Sequence, residues 1–404
     1  MRSTPSRLVR GDTTRQRATF LELFLDLVFV FALTRITARL IVDFTDGPRG
    51  VYAGLGQALL LFLALWAVWS VTVWSTSWLD PDAPIVQTVI IMTLGGSMTM
   101  AVAVPDAFGE RAALFAITLV TLQIGRVLYF HIAGHGRPDP RQSIRILFWL
   151  GLSAPLWVVG GLLDDGTVRG ALWTLAVLSD YSGLLLGWPT PRLGAKRLGV
   201  EMIAAEHLAE RYQQFLLIAL GEAIFVIGLA FSGSDFHADQ TAGFVLSLAA
   251  TVLLWRIYFH VAGGLLDTAV DRSRDAARLA TDMAFAHMIM IAGIVLTGVG
   301  FELFITEPLG HLPGTWLIAI VGGPVLFLAG RAALEYQVFA RVSRSRLVGL
   351  LTLGLLALGL LTPVGSHVEP LTAGAATALV LLGVAAADTR RARRHPPDTP
   401  TPPY

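Results

Sequence analysis

The sequence has 404 residues, of which 54% are hydrophobic and only 15% are charged. A soluble globular protein carries roughly 25% charged residues, so this composition excludes that class and indicates a protein whose surface faces a lipid bilayer. The net charge of +1 provides no basic field for nucleic acid, and the absence of cysteine excludes disulfides, thiolate nucleophiles and cysteine-ligated metals.

Twelve apolar segments are long enough to cross a bilayer, which requires about 20 apolar residues in a helix. Turn-forming residues such as Thr45-Asp46-Gly47-Pro48 separate them. The pattern predicts an all-α polytopic membrane protein with about twelve transmembrane helices. In chain order, the predicted spans are residues 18–43, 51–78, 84–105, 110–133, 143–163, 168–188, 211–232, 242–264, 281–303, 314–338, 346–366 and 370–388.

Lysine and arginine are distributed unequally between the loops. Of the 30 such residues, 22 lie in the two tails and in alternate loops, whereas only Arg49, Arg111 and Arg169 lie in the opposite loops. Short loops rich in these residues stay in the cytoplasm. The bias predicts a multi-pass inner-membrane protein with both termini in the cytoplasm, residues 1–17 being a basic tail and residues 389–404 a disordered, proline-rich one.

The two halves of the chain resemble each other. Residues 24–33 align with residues 220–229, so that Asp26 corresponds to Glu222, and Gly125-Arg126 matches Gly330-Arg331. The order of these matches predicts two parallel six-helix repeats. The predicted repeats are residues 18–190 and 211–388, joined by a polar cytoplasmic linker, residues 191–210, that contains Glu201, Glu206, His207 and Glu210.

Ionisable side chains inside the predicted spans are the candidate site residues, because such groups are costly in a bilayer unless they are paired or hydrated. Glu22 and Asp26 share one helix face, which suits a proton relay or a cation site. A structural interpretation makes Glu22 an interfacial residue and Asp26 a packing residue. The predicted substrate- or ion-binding residues are Glu22, Asp26, Arg126, Glu222, Arg256 and Arg331. No catalytic residue, metal site or cofactor is predicted.

Membrane depth predicts how these charges pair. Asp26 lies about 12 Å from the cytoplasmic end of its helix and Arg126 about 10 Å from the same side, at 1.5 Å per residue. We therefore expect Asp26 near Arg126 and, by repetition, Glu222 near Arg331. Alternatively, Arg331 pairs with Glu335, four residues later, and Glu222 reaches Arg256.

The first predicted span contains a specific motif. It reads Glu22-Leu23-Phe24-Leu25-Asp26-Leu27-Val28-Phe29-Val30-Phe31-Ala32 and resembles the opening signature of the bacterial low temperature requirement A family, roughly E-L-F-F-D-L-V-F-V-F-A. Residues 210–224, from Glu210-Arg211-Tyr212 to Gly221-Glu222-Ala223-Ile224, form a second block that is similar to the family. The resemblance implies a multi-pass membrane protein linked to growth in the cold.

A fainter resemblance concerns the same helix. Phe24, Asp26, Val28 and Phe29 are spaced as in the F-S-D motif of the lysosomal-type potassium channels, in which the motif helix lines the pore. Here a leucine replaces the serine, and Arg35 follows shortly afterwards. An arginine beside a cation pathway repels its cargo, which argues against potassium conduction.

These observations predict a protein that is not an enzyme and that moves an ion or small solute through a site between the two repeats. A cation channel with helices 1 and 7 lining a pore is the alternative within this class. A membrane-embedded enzyme acting on lipid, or a structural stress protein, is the alternative from another class. The sequence leaves the solute, the coupling ion and the oligomeric state open.

Overall fold

The computed structural model describes residues 18–132, 140–196, 205–260, 265–394 and 399–403. These ranges form an all-α protein, and no β-strand occurs within them. The first seven helices are α1 (Phe20–Thr45), α2 (Pro48–Trp78), α3 (Pro84–Ala103), α4 (Ala112–Ile132), α5 (Pro140–Leu162), α6 (Gly166–Leu186) and α7 (Ala205–Ser232). The others are α8 (Ala238–Phe259), α9 (Leu266–Arg272), α10 (Ala276–Thr306), α11 (Leu317–Ile320), α12 (Gly322–Phe339), α13 (Arg344–Leu360) and α14 (Pro370–Arg394).

Nine helical segments in the described part of the chain are long and apolar enough to cross a membrane. The remaining three predicted spans are also helical, as α1, α6 and α13. Helix α1 carries five charged residues, α6 carries two, and α13 has only 17 residues. The all-α, multi-pass prediction is therefore confirmed in its general form, whereas the number twelve stays a prediction.

The predicted tenth span is interrupted. Helix α11 ends at Ile320, and α12 begins after Val321, where Gly322-Gly323-Pro324 follows. Proline lacks the N–H that a continuous helix requires, so the break at this point has a local cause. Glycines then allow α10 and α12 to approach closely, since a Cβ at Gly293 would lie 2.5 Å from the backbone nitrogen of Phe327.

The described chain divides into two compact units. Unit 1 contains the residues up to Ile36 and Leu55–Leu208, and unit 2 contains Thr37–Gly54 and the residues from Ala209 onward. Helix α1 therefore contributes its first part to unit 1 and its last part to unit 2. The predicted two-repeat arrangement and its boundaries stay predictions, and the predicted tail of residues 1–17 lies outside the described residues.

The C-terminal segment contains more helix than the sequence indicated. Helix α14 continues to Arg394, past the predicted start of the disordered tail at residue 389, because alanine and arginine are strong helix formers and cations are favourable at a helix C-terminus. Thr401 then donates its backbone N–H to the carbonyl oxygen of Val338 at 2.9 Å. Residues 395–398 and Tyr404 lie outside the described residues.

Candidate functional site

Asp26 is a buried carboxylate on α1, in unit 1. Its side chain is 0% exposed, and its Oδ1 accepts a hydrogen bond of 2.9 Å from the indole Nε1 of Trp69 on α2. Trp69 is itself fully buried and packs against Trp66, with ring centroids 4.9 Å apart. The indole N–H therefore stabilises a carboxyl group that has been removed from water.

Glu22 lies in the first turn of the same helix and has two roles. Its Oε2 accepts hydrogen bonds from the backbone N–H and the hydroxyl of Thr19, at 2.9 and 3.0 Å, while its own N–H donates to the Thr19 hydroxyl. This reciprocal pair is a capping box, which satisfies backbone donors at the helix start. The other oxygen, Oε1, lies 3.0 Å from Nε2 of His207.

His207 is the functional candidate that the sequence analysis missed. We predicted a polar linker over residues 191–210, but α7 begins at Ala205 and His207 is 0% exposed in its first turn. Its Nδ1 lies 3.3 Å from Oγ of Ser77, in the last turn of α2. One feature of the sequence could have identified this histidine. His207, Arg211 and Phe215 follow each other at intervals of four residues, so they lie on one helix face, and this buried face extends into the charged segment before residue 211.

The predicted pairing of Asp26 with Arg126 is wrong. The Arg126 Nη1 on α4 donates to the hydroxyl of Thr72 at 3.0 Å and to the carbonyl oxygen of Val68 at 3.4 Å, both on α2. Depth fixes only one coordinate of a side chain, and α2 supplies hydrogen-bond partners for both residues. The guanidinium and the carboxylate therefore bond to different groups of α2 within unit 1.

Glu222 is the candidate with the fewest partners. It lies in the middle of α7, in unit 2, and is 0% exposed. The Thr37 hydroxyl lies beside its carboxyl group, and a Cβ at Gly298 of α10 would lie 4.0 Å from its Oε2. Neither carboxyl oxygen has a hydrogen bond of good geometry, and within the described part of the chain no cation forms an ion pair with it.

The predicted pairing of Glu222 with Arg331 is also wrong. Arg331 on α12 is buried and donates its Nε to the carbonyl oxygen of Ile257 at 3.1 Å, at the end of α8. The alternative partner, Glu335, instead faces Arg346, whose Nε lies 3.7 Å from its Oε2. A helix C-terminus presents free carbonyl oxygens, and one of them provides the acceptor that Arg331 reaches.

Arg256 belongs to a polar cluster at the ends of α8, α13 and α14. Its Nη2 donates to the hydroxyl of Thr389 at 3.2 Å, and His260 contacts the carbonyl oxygen of Asp388 at 3.3 Å. The Asp388 carboxylate pairs with Arg346 at 2.5 Å. Arg256 therefore contacts the end of α14 and does not reach Glu222, which makes a structural role the simpler interpretation of this residue.

His287 of α10 is a packing histidine. Its Nδ1 donates to the carbonyl oxygen of Met283 at 2.7 Å, so its Nε2 accepts from the Tyr258 hydroxyl at 2.8 Å. The ring also stacks on Tyr212, with centroids 4.7 Å apart. Both nitrogens are used in one neutral tautomer, and this arrangement leaves the histidine no free position for a ligand.

The described residues thus contain two kinds of buried acid. Glu22 and Asp26 are hydrogen-bonded within unit 1, whereas Glu222 in unit 2 has only a neighbouring hydroxyl. Within the described ranges, no group of three or more His, Cys, Asp or Glu residues is arranged to hold a metal ion. The chemistry that this set of side chains supports is the binding and release of a proton or of a monovalent cation.

Comparison with known proteins gives one family and one curated relative. The family model described as bacterial low temperature requirement A protein (LtrA) matches residues 17–386. An uncharacterized protein of Rhizobium meliloti (strain 1021) is 34% identical over 331 residues, which are 80% of this chain and 78% of the relative. No solved structure matches the chain.

Proposed function

This chain belongs to the bacterial low temperature requirement A protein (LtrA) family, and we propose that, as a multi-pass membrane protein of that family, it moves an ion or a small solute across the bilayer and is not an enzyme. In this proposal Asp26 and Glu222 are the carboxylates that take up and release a proton or a cation during turnover.

The burial of Glu222 is the observation that supports the proposal most. A carboxylate in a membrane helix costs roughly 2.5–3.5 kcal/mol on insertion scales, even before its partners are considered. Neither oxygen of Glu222 has a hydrogen bond of good geometry. A residue that only filled space between helices would serve better as leucine or methionine, since these side chains avoid the cost of desolvation. A carboxyl group that binds a proton or a cargo cation gains from the same surroundings.

Asp26 supports the same function from the other unit. It aligns with Glu222 in the sequence and is equally buried, but a tryptophan indole holds one of its oxygens. This hydrogen bond orients the carboxyl group. An oriented carboxylate on a membrane helix is a typical element of a proton or cation pathway.

A flux assay on the purified protein in proteoliposomes tests the proposal. Proton movement is followed with a trapped pH-sensitive dye under an imposed pH gradient, and cation movement with rubidium. Asp26→Asn and Glu222→Gln should each abolish the flux that wild-type protein supports. Glu302→Gln is the matched control, because it makes the same change at a half-buried position on α10 and should retain flux.

The outcome that contradicts the proposal is equally specific. Full flux in the Asp26→Asn, Glu222→Gln double variant removes both carboxylates from the mechanism, and the absence of any flux in wild-type protein with either probe removes protons and monovalent cations as cargo. Elution as a single species and an unchanged unfolding temperature show in each case that the variant is folded.

A cation channel is the second candidate, because Asp26 lies in the stretch that is similar to the channel motif. Its neighbourhood argues against a pore, since the Asp26 carboxyl accepts from Trp69 and the Arg35 guanidinium lies 5.9 Å from the Phe31 ring on the same helix. Planar-bilayer recordings separate the two functions. Unitary current steps that disappear in Asp26→Asn favour the channel, and saturable flux without such steps favours the transporter.

The family description also motivates a physiological proposal. We infer that transport by this protein supports growth at low temperature. In a strain lacking the gene, wild-type protein should restore growth in the cold, whereas Glu222→Gln at equal expression should not. Equal restoration by both forms would separate the growth phenotype from the buried carboxylate.

A further inference from the structure

Three buried side chains from three helices form a hydrogen-bonded chain inside unit 1. Glu22 lies in the first turn of α1, Ser77 in the last turn of α2 and His207 in the first turn of α7. The imidazole stands between the other two, 3.0 Å from Glu22 Oε1 and 3.3 Å from Ser77 Oγ. Each of the three residues is at most 1% exposed, so these side chains do not contact bulk solvent.

The hydrogen bond of Ser77 decides where the protons lie. Its hydroxyl donates to the carbonyl oxygen of Val73 at 2.8 Å, and a hydroxyl has only one hydrogen, so it accepts from His207 Nδ1. Nδ1 is therefore protonated. A second proton must then lie between His207 Nε2 and Glu22 Oε1, because a bare imidazole nitrogen and a carboxylate are both acceptors.

The capping box and the burial of Glu22 act in opposite directions on this second proton. Thr19 donates two hydrogen bonds to Oε2 of Glu22, which favours the charged carboxylate, whereas burial favours the neutral acid. The proton lies along the 3.0 Å contact between Glu22 Oε1 and His207 Nε2, and imidazole and carboxyl groups are the side chains that most often carry exchangeable protons.

We propose that the Glu22–His207 pair donates protons to, and accepts them from, Asp26, with Ser77 as the residue that positions the imidazole. This inference rests on the proposed function, which assigns Asp26 a proton or a cation. Asp26 follows Glu22 by one helical turn, where Cβ atoms lie about 5–6 Å apart, a separation that one bridging water spans. During transfer the bond to the shared proton, N–H on His207 or O–H on Glu22, breaks as an O–H bond forms on Asp26. The proton on Nδ1 stays, and the two Thr19 hydrogen bonds hold the Glu22 carboxylate that remains, until Asp26 returns a proton in the reverse step.

Three helices contribute charged or polar side chains to the buried faces that carry these residues. Helix α1 contributes Glu22 and Asp26, and α7 contributes His207 and, one turn later on the same buried face, Arg211. Helix α2 contributes the neutral Ser77 and Trp69. Among these groups, the Glu22–His207 pair holds a proton that can be exchanged, since arginine stays protonated.

The same residue types occur in serine hydrolases, but the geometry here does not suit a nucleophile. In those enzymes the serine hydroxyl donates to the imidazole, which removes its proton as the oxygen attacks. Ser77 donates in the opposite direction, to the backbone, and its oxygen is buried. A proton relay is compatible with these hydrogen-bond directions, whereas hydrolysis would require the Ser77 hydroxyl to donate to His207 and to be accessible to a substrate.

Time-resolved infrared spectroscopy tests the relay without a transported solute. The full-length protein in lipid vesicles is subjected to a pH jump, and the carboxyl band that disappears in Asp26→Asn reports protonation of Asp26. His207→Gln keeps an N–H donor beside Glu22 but cannot exchange protons. It should slow protonation of Asp26 by about a hundredfold, the scale of a lost proton-transfer group. His287→Gln, which changes the packing histidine of unit 2, should leave the rate unchanged.

Glu22→Gln is the second variant, because glutamine also completes a capping box and preserves the helix start. It should slow the reaction as His207→Gln does. Ser77→Ala should slow it less, and Ser77→Thr should restore it, since threonine retains the hydroxyl. An unchanged rate in both His207→Gln and Glu22→Gln, an Asp26 band that never titrates, or covalent labelling of Ser77 by a fluorophosphonate would each overturn the proposal.

Failure of the relay and failure of the proposed function are distinguishable. The infrared signal depends only on Asp26 and its neighbours, so it persists if the protein carries neither protons nor rubidium. Conversely, suppose that the wild-type protein supports flux that is lost in Glu222→Gln while Asp26 is protonated at the normal rate in His207→Gln. This pair of results would support transport and exclude the relay.

Discussion

At the scale of single residues, two acids that align in the sequence have different surroundings. Asp26 is held by an indole N–H, whereas the carboxyl oxygens of Glu222 have no hydrogen bond of good geometry. The same chemical group can therefore contribute differently to stability at the two positions. The indole hydrogen bond compensates Asp26 for part of the cost of burial, and we expect Glu222 to lower the stability of the folded state.

Replacement of Glu222 by an apolar side chain should stabilise the protein while it removes flux. Glu222→Met keeps the length of the side chain and eliminates a buried polar group without good hydrogen bonds, a group that costs roughly 1–3 kcal/mol. We expect a higher unfolding temperature in detergent and no transport. Glu302→Met is the control and should have a smaller effect. A lower unfolding temperature for Glu222→Met would show that the carboxyl group is compensated after all.

Loss of the ion pair between Arg346 and Asp388 should destabilise the protein. Arg346 is buried, the Asp388 side chain is 9% exposed, and Glu335 also faces this arginine. Arg346→Met should destabilise the protein by about 3–5 kcal/mol, because two carboxylates lose their cation. Chemical unfolding of the single variant and of the Arg346→Met, Asp388→Asn double variant measures the effect. The double variant should regain part of the loss, and equal values for the two would contradict this account.

At the scale of helices, the contact between α10 and α12 depends on glycine. A Cβ at Gly293 would lie 2.5 Å from the nitrogen of Phe327 and 2.8 Å from the carbonyl oxygen of Gly323. Gly293→Ala should therefore destabilise unit 2 by roughly 1–3 kcal/mol through overpacking. Gly354→Ala is the matched control, because a Cβ at that position on α13 meets nothing within 4 Å. It should leave stability unchanged or raise it slightly, and unfolding temperatures compare the two.

The start of α6 should make stability depend on pH. Asp165 lies in the loop before this helix, and hydrogen bonds from the backbone N–H groups of Val168 and Thr167 lower its pKa below the ordinary value of 3.8. The charged cap therefore stabilises the helix above that value, and the stabilisation is lost as the pH falls through the lowered pKa.

Asp165→Asn provides the comparison, because asparagine also accepts hydrogen bonds at a helix start but does not titrate. Unfolding temperatures measured from neutral to acidic pH should fall more steeply for wild-type protein than for the variant. Parallel curves for the two would remove Asp165 as a source of the pH dependence.

At the scale of the whole molecule, orientation in the membrane is the main prediction. The arginine and lysine bias places Lys196 and both termini in the cytoplasm and Asp164 on the other side. Because the chain has no cysteine, single cysteines can be labelled without background. A membrane-impermeant maleimide applied to intact cells should label Asp164→Cys and not Lys196→Cys, both positions being exposed. The reverse pattern would invert the topology.

The sequence by itself determined the class of this protein and the candidate acids. Long apolar runs can only be helices in a bilayer, because unpaired backbone groups are too costly there. The same cost makes Asp26 and Glu222 conspicuous without any structure. The family was also recognisable from the motif around Asp26, because that motif is local in sequence.

Only the tertiary structure decided what these residues contact. Membrane depth set one coordinate, so Asp26 could be assigned to Arg126, but the rotation and neighbours of each helix come from packing between segments distant in sequence. Trp69 is 43 residues from Asp26, and His207 is 185 residues from Glu22. The Glu22–His207 pair could not be predicted for the same reason. A histidine among charged residues is typical of a loop, and only the structure shows that His207 contacts a buried partner on another helix.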